Sequence, residues 1–487
     1  MDTFGELTRE EESLVGQLTR DLNLYRPKNA EKWRYYDGEA SLKNIGLAIP
    51  EAMVNIDAVI GWGGIIVDAL DERLDWQGWV SDTEDISRLS AVFRQNQLGT
   101  EFDKAKLDAF VTGVGFFEVT AGGEGEPDVV VNAVSSNDGV YIWDGRRSRV
   151  AAGLVSKVDP ATGDDLITIY LPDSTITMVR GRERLSVHRV VHNRGRCGLV
   201  AFPNKSRAGG VRGKSELTRP IRYTIDHGVR TILGMEYNRE IYTTPQRYFA
   251  NVEPEDLGID EDMDADERVR AGWNVSMTRA VILPPQEGTA TSNGPTPTTG
   301  QYESAPPTPY IDELKMCTQL ISAYSGVPAQ QLGFVTANPP SAESVRAMES
   351  RHVKMAERRS TSFSYPLVND VAFIAQSILH ERYPDEEPAP TPEFLASVSA
   401  KWGNPATPTV AAATDSTVKL VEKDILPAHS SVALERAGFS ESEIRRIEQD
   451  RRRAATDELL TMARQRAAGG GQLDPTVGRL AAASGED

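Results

Sequence analysis

Hydrophobic residues recur at helical spacing over three long stretches in the middle of the chain. The first predicted helix covers about residues 215–243, and the second covers 308–325. The third starts near residue 341 and runs to about 378, with a kink expected at Pro366 because proline interrupts the helical hydrogen-bond ladder. The pattern predicts a helical frame with a separate lobe inserted at residues 246–307.

Local signals define the ends of the first two helices. Ser215 and Thr308 are predicted N-caps, and a proline follows Thr308 at the first helical position, where its missing N–H is not needed. Gly326 is expected to end the second helix as a left-handed C-cap.

The apolar period changes from helical to alternating between residues 113 and 203, which predicts a β region embedded in a helical chain. Residues 1–80, 83–113 and 417–425 are predicted to be mostly helical, and a capping box at 440–443 opens a charged helix that extends to about 467. The predicted strands cover residues 115–119, 128–131, 167–170, 187–192 and 199–202. The expected fold class is therefore α+β and mainly helical.

The lobe between the first two helices has an unusual composition. Residues 253–267 hold nine acidic residues and no basic one, and ten of the 26 residues from 284 to 309 are Pro or Gly. Residues 273–283 are predicted to form one or two strands. The segment is too long for an ordinary connection, so a small exposed lobe is expected.

Composition narrows the classes of protein to consider. The chain has 487 residues, which predicts two to four domains, and its net charge of −18 argues against a protein that coats DNA. Its two cysteines do not form a disulfide framework, which favours a reducing compartment. The polar N-terminus is not a signal peptide, and acidic residues interrupt the most apolar window, 45–70, so no membrane association is expected.

One stretch resembles a phosphate-binding loop. Residues 208–215 end in Gly-Lys-Ser and lie between a predicted strand and a predicted helix, but Ala208 stands where the first Gly belongs. Pro220 falls within the helix that would follow, and no later strand ends in a suitable magnesium-binding acid. A Gly-rich turn is therefore the preferred interpretation, and a P-loop NTPase is the alternative.

No other motif indicates catalysis. His188 and His192 lie four residues apart without a third ligand nearby, so neither a metal site nor a cofactor is predicted.

The charged helix near the C-terminus carries a cluster of arginines, for which a solvated helix face and a DNA contact both stay open. These residues are Arg445, Arg446, Arg451, Arg452 and Arg453.

Several short motifs in this order resemble the portal proteins of tailed bacteriophages, in particular siphophage portals. They are the aromatic segment 33–38, the junction formed by 200–204 and 213–217, the turn at 324–333 and the C-terminal pattern at 414–450. The insert at 246–307 has no match. The resemblance implies a dodecameric head–tail connector without enzymatic activity; another capsid-associated structural protein is the remaining alternative.

The resemblance also implies a division of the chain into portal domains. The implied domains are a wing (1–214, with the β region), a first stem helix (215–245), a clip (246–307), a second stem helix (308–330), a tunnel loop (331–342), a long kinked wing helix (343–400) and a crown with a disordered C-terminal tail (401–487).

The same resemblance implies where DNA and partner proteins bind. Double-stranded DNA would pass through the ring without sequence recognition, near the tunnel-loop residues and the crown arginines. The implied partners are other copies of the chain, terminase, the head–tail adaptor, the major capsid protein and scaffold. The protein would lie at one capsid vertex of the virion after assembly in the host cytoplasm. The implied tunnel-loop residues are Phe334, Val335, Thr336 and Asn338.

Overall fold

Helices and antiparallel sheets are interleaved along the chain, which forms two compact units, Met1–Pro405 and Ala406–Asp487. The structure is a computed structural model. It describes residues 2–4, 7–40, 58–180, 185–243, 247–251, 259–260, 262–277, 298–301, 306–333, 341–406 and 410–468.

The helices of the described residues lie on both sides of the β region in sequence. They are α1 (Arg9–Tyr36), α2 (Trp62–Asp71), α3 (Ser87–Gln95), α4 (Leu98–Thr112), α5 (Arg219–Thr243), α6 (Ala265–Met277), α7 (Thr308–Ser325), α8 (Ala342–Pro366), α9 (Phe373–Arg382), α10 (Pro392–Ser397), α11 (Val410–Glu422), α12 (Ser431–Ala437) and α13 (Glu441–Ala468). A short 3₁₀ helix covers Ala329–Leu332, and a π-helical segment, Leu367–Ala372, joins α8 to α9.

Most of the strands are consecutive in the sequence and pair with their neighbours. They are β1 (Asp2–Phe4), β2 (Trp76–Ser81), β3 (Val114–Ala121), β4 (Val129–Val134), β5 (Gly139–Asp144), β6 (Arg149–Val158), β7 (Asp165–Tyr170), β8 (Ser174–Arg180), β9 (Leu185–Val191), β10 (Leu199–Pro203), β11 (Arg247–Ala250), β12 (Thr298–Gln301) and β13 (Val398–Trp402).

These strands form four antiparallel sheets within the described residues. One sheet has six strands in the order β1-β9-β8-β7-β6-β5, and a second has the order β10-β3-β4. The other two are the pairs β11-β12 and β13-β2. In the last pair Val398 lies opposite Ser81, so the chain returns from far along the sequence to complete it.

Aromatic side chains fill the centre of the first unit. The Phe102 ring of α4 makes edge-on contacts with Phe117 of β3, Phe202 of β10 and Phe363 of α8, at centroid distances of 5.6–6.2 Å. Edge-to-face pairs of this kind add to the stabilisation that burial alone provides. The cluster therefore fixes helix α8 against the three-stranded sheet.

Helices α5 and α7 pack side by side in opposite directions. A Cβ built on Gly234 would lie 3.2 Å from the Tyr310 ring, and His227 Nε2 lies 2.7 Å from Glu313 Oε1. The later residue of α5, Gly234, meets the earlier residue of α7, Tyr310, so the two helices run antiparallel. The pair is thus a helical hairpin, and the inserted segment connects the end of α5 to the start of α7.

The start of the first predicted helix is corrected by the structure. Helix α5 begins at Arg219, not at Ser215, which is not an N-cap. The Ser215 hydroxyl donates to the Val111 carbonyl at 2.5 Å and accepts from the Leu217 N–H at 3.0 Å. Because the helix starts later, Pro220 falls in its first turn, where proline is tolerated.

The second predicted helix matches α7 at both ends. Its predicted cap is wrong by one position, because Pro307 occupies the N-cap and no side chain caps the helix. Gly326 ends α7 as predicted, with φ of 84° and its N–H donating to the Ser322 carbonyl.

The third predicted helix corresponds to α8, the π-helical segment and α9, which follow one another without a gap from Ala342 to Arg382. Its helical run ends at Arg382, and residues Val398–Trp402 form strand β13, so the long helix expected over 343–400 is shorter. The strands expected at 273–283 are also wrong in part, because α6 includes residues 273–277; residues 278–283 lie outside the described residues. The helix expected over 83–113 is divided at Gln97, whose φ is 50°.

The second unit consists of helices α11 to α13 in the part that the structure describes. The predicted capping box is confirmed, because the Ser440 N–H donates to Glu443 Oε2 at 2.8 Å and the Glu443 N–H donates to the Ser440 hydroxyl at 3.4 Å. The helix predicted at 417–425 is α11 and starts earlier, at Val410. The α+β, mainly helical fold class is confirmed. None of the described helices combines the length and the hydropathy that crossing a bilayer requires.

Candidate functional site: the junction before helix α5 and its basic pocket

The segment that resembled a phosphate loop is a packed turn. The Asn204 N–H donates to the Gly113 carbonyl at 2.9 Å, and the Lys214 N–H donates to the Asn204 carbonyl at 2.6 Å. Gly213 has φ of +73°, and a Cβ built on it would lie 2.1 Å from the Gly113 oxygen and 2.6 Å from the Asn204 oxygen. Backbone atoms therefore occupy the space that a phosphate would need beside Gly213.

Glu216, in the first unit, is the buried centre of this junction. Its Oε1 accepts from Asn204 Nδ2 at 3.0 Å and from Arg359 Nη2 at 3.1 Å, and its Oε2 accepts from Lys205 Nζ. Burial raises the pKa of the Glu216 carboxyl, but the charges of Lys205 and Arg359 outweigh burial and hold the pKa below its usual value. The ion-paired carboxylate thus joins strand β10, the start of α5 and helix α8.

The aromatic motif at the end of α1 also anchors helices of the same unit. The Tyr35 hydroxyl donates to Asp226 Oδ1 of α5 at 2.9 Å, and the Tyr36 hydroxyl donates to Asp68 Oδ1 of α2 at 2.9 Å. These contacts give the motif a packing role.

A basic pocket lies beside Glu216, on the face of α8 that looks toward the end of α7. Its volume is about 700 Å³. Lys205 and Arg359 connect the pocket to Glu216, and the Arg351 guanidinium donates to the Ala323 carbonyl of α7 at 3.2 Å. Sequence reasoning missed this pocket, although Arg351, Lys354 and Arg358 recur at a helical spacing that could have revealed it. The residues that line the basic pocket are Lys205, Tyr324, Ser350, Arg351, Lys354, Met355, Arg358 and Arg359.

Helix α7 exposes an apolar stripe in its C-terminal half. The stripe, called here the α7 stripe, has a spacing of four residues, so its members share one helical face. Exposed fractions of 37–48% are high for large apolar side chains that lie in one row. The α7 stripe consists of Met316, Leu320 and Tyr324.

The structure locates one of the two sets of predicted site residues. Phe334, Val335, Thr336 and Asn338 lie outside the described residues, between Gly333 and Ser341. The crown arginines all lie on α13 and are exposed, and Arg451 Nη2 is 2.8 Å from His429 Nδ1. The exposed arginines are Arg445, Arg446, Arg451, Arg452 and Arg453.

No metal-binding cluster is found in the described ranges. No group of three or more His, Cys, Asp or Glu side chains is close enough there to hold an ion. Cys197 and Cys317 are both buried free thiols, and burial raises the pKa of the Cys197 thiol to about 12. Neither thiol has the lowered pKa of a reactive cysteine.

Comparison with known proteins identifies the family. The chain matches the family described as "Phage portal protein, SPP1 Gp6-like" over residues 16–457, which is most of its length. The chain therefore belongs to this family of phage portal proteins, which places it among the structural proteins of the phage particle.

Individual relatives agree with the family match. The portal protein of Mycobacterium phage L5 is 26% identical over 406 residues, covering 80% of this chain and 78% of the relative. The portal protein of Mycobacterium phage D29 is 25% identical over 397 residues, covering 79% and 77%. The resemblance and the function predicted from the sequence, a siphophage portal protein, are confirmed.

Solved structures with a similar chain path also exist. The chain is similar to one in the "Neck of empty GTA particle computed with C6 symmetry", with a TM-score of 0.45, 12% identity, and coverage of 78% of this chain and 90% of the other. It is also similar to one in the "Neck of native GTA particle computed with C12 symmetry", with a TM-score of 0.43, 11% identity, and coverage of 78% and 89%.

Proposed function

We propose that this chain assembles into a closed ring of about twelve copies at one capsid vertex. Double-stranded DNA passes through the ring during packaging and ejection, without sequence recognition. The family match over residues 16–457 is the observation that carries this proposal. The α7 stripe supports it, because an exposed apolar row on one side of each copy needs a partner surface, and a head-to-tail contact that closes gives a ring.

The domain division follows the expectations from the sequence. Helices α5 and α7 form the stem, and residues 246–307 between them form the clip that docks the head–tail adaptor. Residues 1–214 and 343–400 form the wing, 331–342 the tunnel loop, and 401–487 the crown facing packaged DNA. The antiparallel pairing of α5 and α7 supports this assignment, because a helical hairpin presents its inserted segment at one end.

The ring acts as a platform for other proteins and has no enzymatic activity of its own. Terminase docks on it during packaging, the major capsid protein and scaffold surround it during assembly in the host cytoplasm, and the adaptor attaches in the finished virion. The packed backbone at Gly213 supports the non-enzymatic assignment, since it leaves a phosphate-binding loop no room there.

The α7 stripe provides the test of ring formation. The double variant Met316→Asp/Leu320→Asp places two charges on the proposed contact, so we expect a folded monomer where the wild type forms rings. Leu24→Asp is the matched control, because Leu24 is also apolar and 52% exposed, on α1 outside the proposed stem. Native mass spectrometry and negative-stain microscopy measure the assembly state, and circular dichroism checks the fold. A wild type that stays monomeric at high concentration would overturn the ring.

A further inference from the structure

The basic pocket is an exception in an acidic chain. The protein carries a net charge of −18, yet five of the eight residues lining this pocket are Lys or Arg and none is acidic. Arg351, Lys354 and Arg358 recur every three or four residues, so they share one face of α8. Such a concentration of one charge attracts an anion.

The cations of the pocket fall into two groups. Lys205 and Arg359 are committed to the buried carboxylate of Glu216. Lys354 and Arg358 are exposed, and neither has an ion-pair or hydrogen-bond partner among the residues that the structure describes. In addition, Arg359 is 8% exposed and its Nε lacks a hydrogen-bond partner within the described part of the chain. The pocket therefore has unused donors and unused positive charge.

The chemistry of the lining favours phosphate. Seven of the eight side chains carry N–H or O–H donors, and only Met355 does not. Guanidinium and ammonium groups bind phosphate oxygens well. A protein surface would instead be expected to bring an apolar core to its contact, and Met355 and Tyr324 alone do not provide one.

The position of the pocket indicates which phosphates it meets. Its residues come from the end of α7 and from α8, the two helices on either side of residues 331–342. That segment is the proposed tunnel loop, and its sequence contains no Lys or Arg, so it cannot itself pair with phosphates. We infer that the basic pocket binds backbone phosphates of the double-stranded DNA in the channel, through Lys354 and Arg358. This inference rests on the proposed portal function.

The salt dependence of DNA binding tests the inference. Each phosphate contact contributes about 0.9 to the slope of log affinity against log salt concentration. Assembled full-length rings are titrated with a short linear DNA duplex over a range of NaCl concentrations. We expect Lys354→Ala/Arg358→Ala to bind more weakly and to reduce the slope by about 2 or more. The charge-preserving variant Lys354→Arg/Arg358→Lys should keep most of the slope.

Arg20→Ala is the matched control, because Arg20 is exposed on α1 and has no ion-pair partner among the described residues. It should leave the slope unchanged. The inference is overturned if the double alanine variant keeps the wild-type slope, if Arg20→Ala reduces the slope equally, or if wild-type rings do not bind the duplex. It is also overturned if the double alanine variant no longer forms rings, since the pocket would then hold acidic side chains of a neighbouring copy. The proposed function fails separately, when the wild type itself forms no rings.

Discussion

Glu216 is buried with the charges of Lys205 and Arg359 beside it, so its removal leaves two cations without a counter-charge. We expect Glu216→Gln to lower the free energy of unfolding by about 3 kcal/mol, because breaking a buried ion pair exposes the desolvation cost of the remaining partner. Urea denaturation measures the change. The control is Glu313→Gln, whose pair with His227 is on the surface and is expected to contribute about 1 kcal/mol or less.

The pH dependence of this effect has a defined sign. The pKa of Glu216 is lowered in the folded state, so its contribution to stability is present above its unfolded pKa, about 4.3. The contribution is lost as the pH falls through the folded pKa. The difference in stability between wild type and Glu216→Gln should therefore be constant near neutral pH and shrink in acid. A difference that grows in acid would contradict the ion-paired assignment.

Comparing alanine substitutions at Gly213 and Gly209 separates the cost of a steric clash from the cost of a left-handed backbone conformation. Both have positive φ, +73° and +75°, but a Cβ on Gly213 would meet three backbone atoms within 2.8 Å, whereas a Cβ on Gly209 would meet nothing within 4 Å. We expect Gly209→Ala to cost about 1 kcal/mol from its left-handed conformation. Gly213→Ala should cost several times more and disturb assembly. Equal thermal unfolding midpoints for the two variants would show that the turn at Gly213 rearranges freely.

At the scale of elements, the π-helical segment between α8 and α9 contains a buried acid. The missing N–H and the ring of Pro366 disturb the helical ladder where this segment begins, and Asp370 lies inside it with Oδ1 3.6 Å from Arg196 Nε. Burial raises the pKa of Asp370 to about 7, partly offset by the charge of Arg149.

This raised pKa predicts that the folded protein is more stable in mild acid than at neutral pH. The unfolded pKa is about 3.9, so between there and pH 7 the folded state binds more protons than the unfolded state. The contribution of Asp370 is fully present below the unfolded pKa and is lost as the pH rises through 7. The wild type should therefore lose stability relative to Asp370→Asn between pH 5 and 8. Thermal unfolding midpoints measured for both proteins across this range are the check, and parallel curves would contradict the raised pKa.

The sequence predicted correctly those helix ends that are set by residues adjacent in sequence. Helix α7 has the predicted bounds because Pro309 at its start and Gly326 at its end each act on the adjacent helical turn. Helix α5 starts later than predicted because Ser215 bonds to Val111, a contact about one hundred residues distant that its neighbours do not reveal. Strands β2 and β13 were missed for the same reason, since each exists through a partner more than three hundred residues away.

For the candidate site too, the part defined by neighbouring residues was predicted and the part defined by distant contacts was missed. The junction 213–217 was found from its motif, and the structure supplies the partners of Glu216 from helix α8. The basic row on α8 is visible in the sequence, but only the fold shows that the distant Lys205 joins it to form a pocket. The sequence shows each of these charges, but it does not show which carboxylate neutralises which cation.

At the scale of the whole molecule, an acidic chain suits a channel through which DNA must move. A net charge of −18 repels phosphates in general, so we expect DNA contacts only at places where cations collect. The basic pocket and the arginines of α13 are two such places in the described residues, one in each unit. If these two places contact DNA as proposed, the channel would hold DNA there and let it slide elsewhere.

The proposed tunnel loop offers the contrasting case, because a contact of this segment with DNA would not depend on charged side chains. Residues 331–342 contain no Lys or Arg, and Phe334 is the bulkiest side chain among them. We expect Phe334→Ala to form normal rings and to package DNA that is shorter or that leaks from the capsid, since we propose that the Phe334 side chain narrows the channel. Phe334→Trp is the control that keeps the bulk, and it should retain DNA as the wild type does. The length of packaged DNA in particles built with each variant, measured by pulsed-field gel electrophoresis, decides the matter. Full-length, stably held DNA with Phe334→Ala would show that no constriction at this residue retains the genome, and loss of rings would show that Phe334 packs between subunits instead.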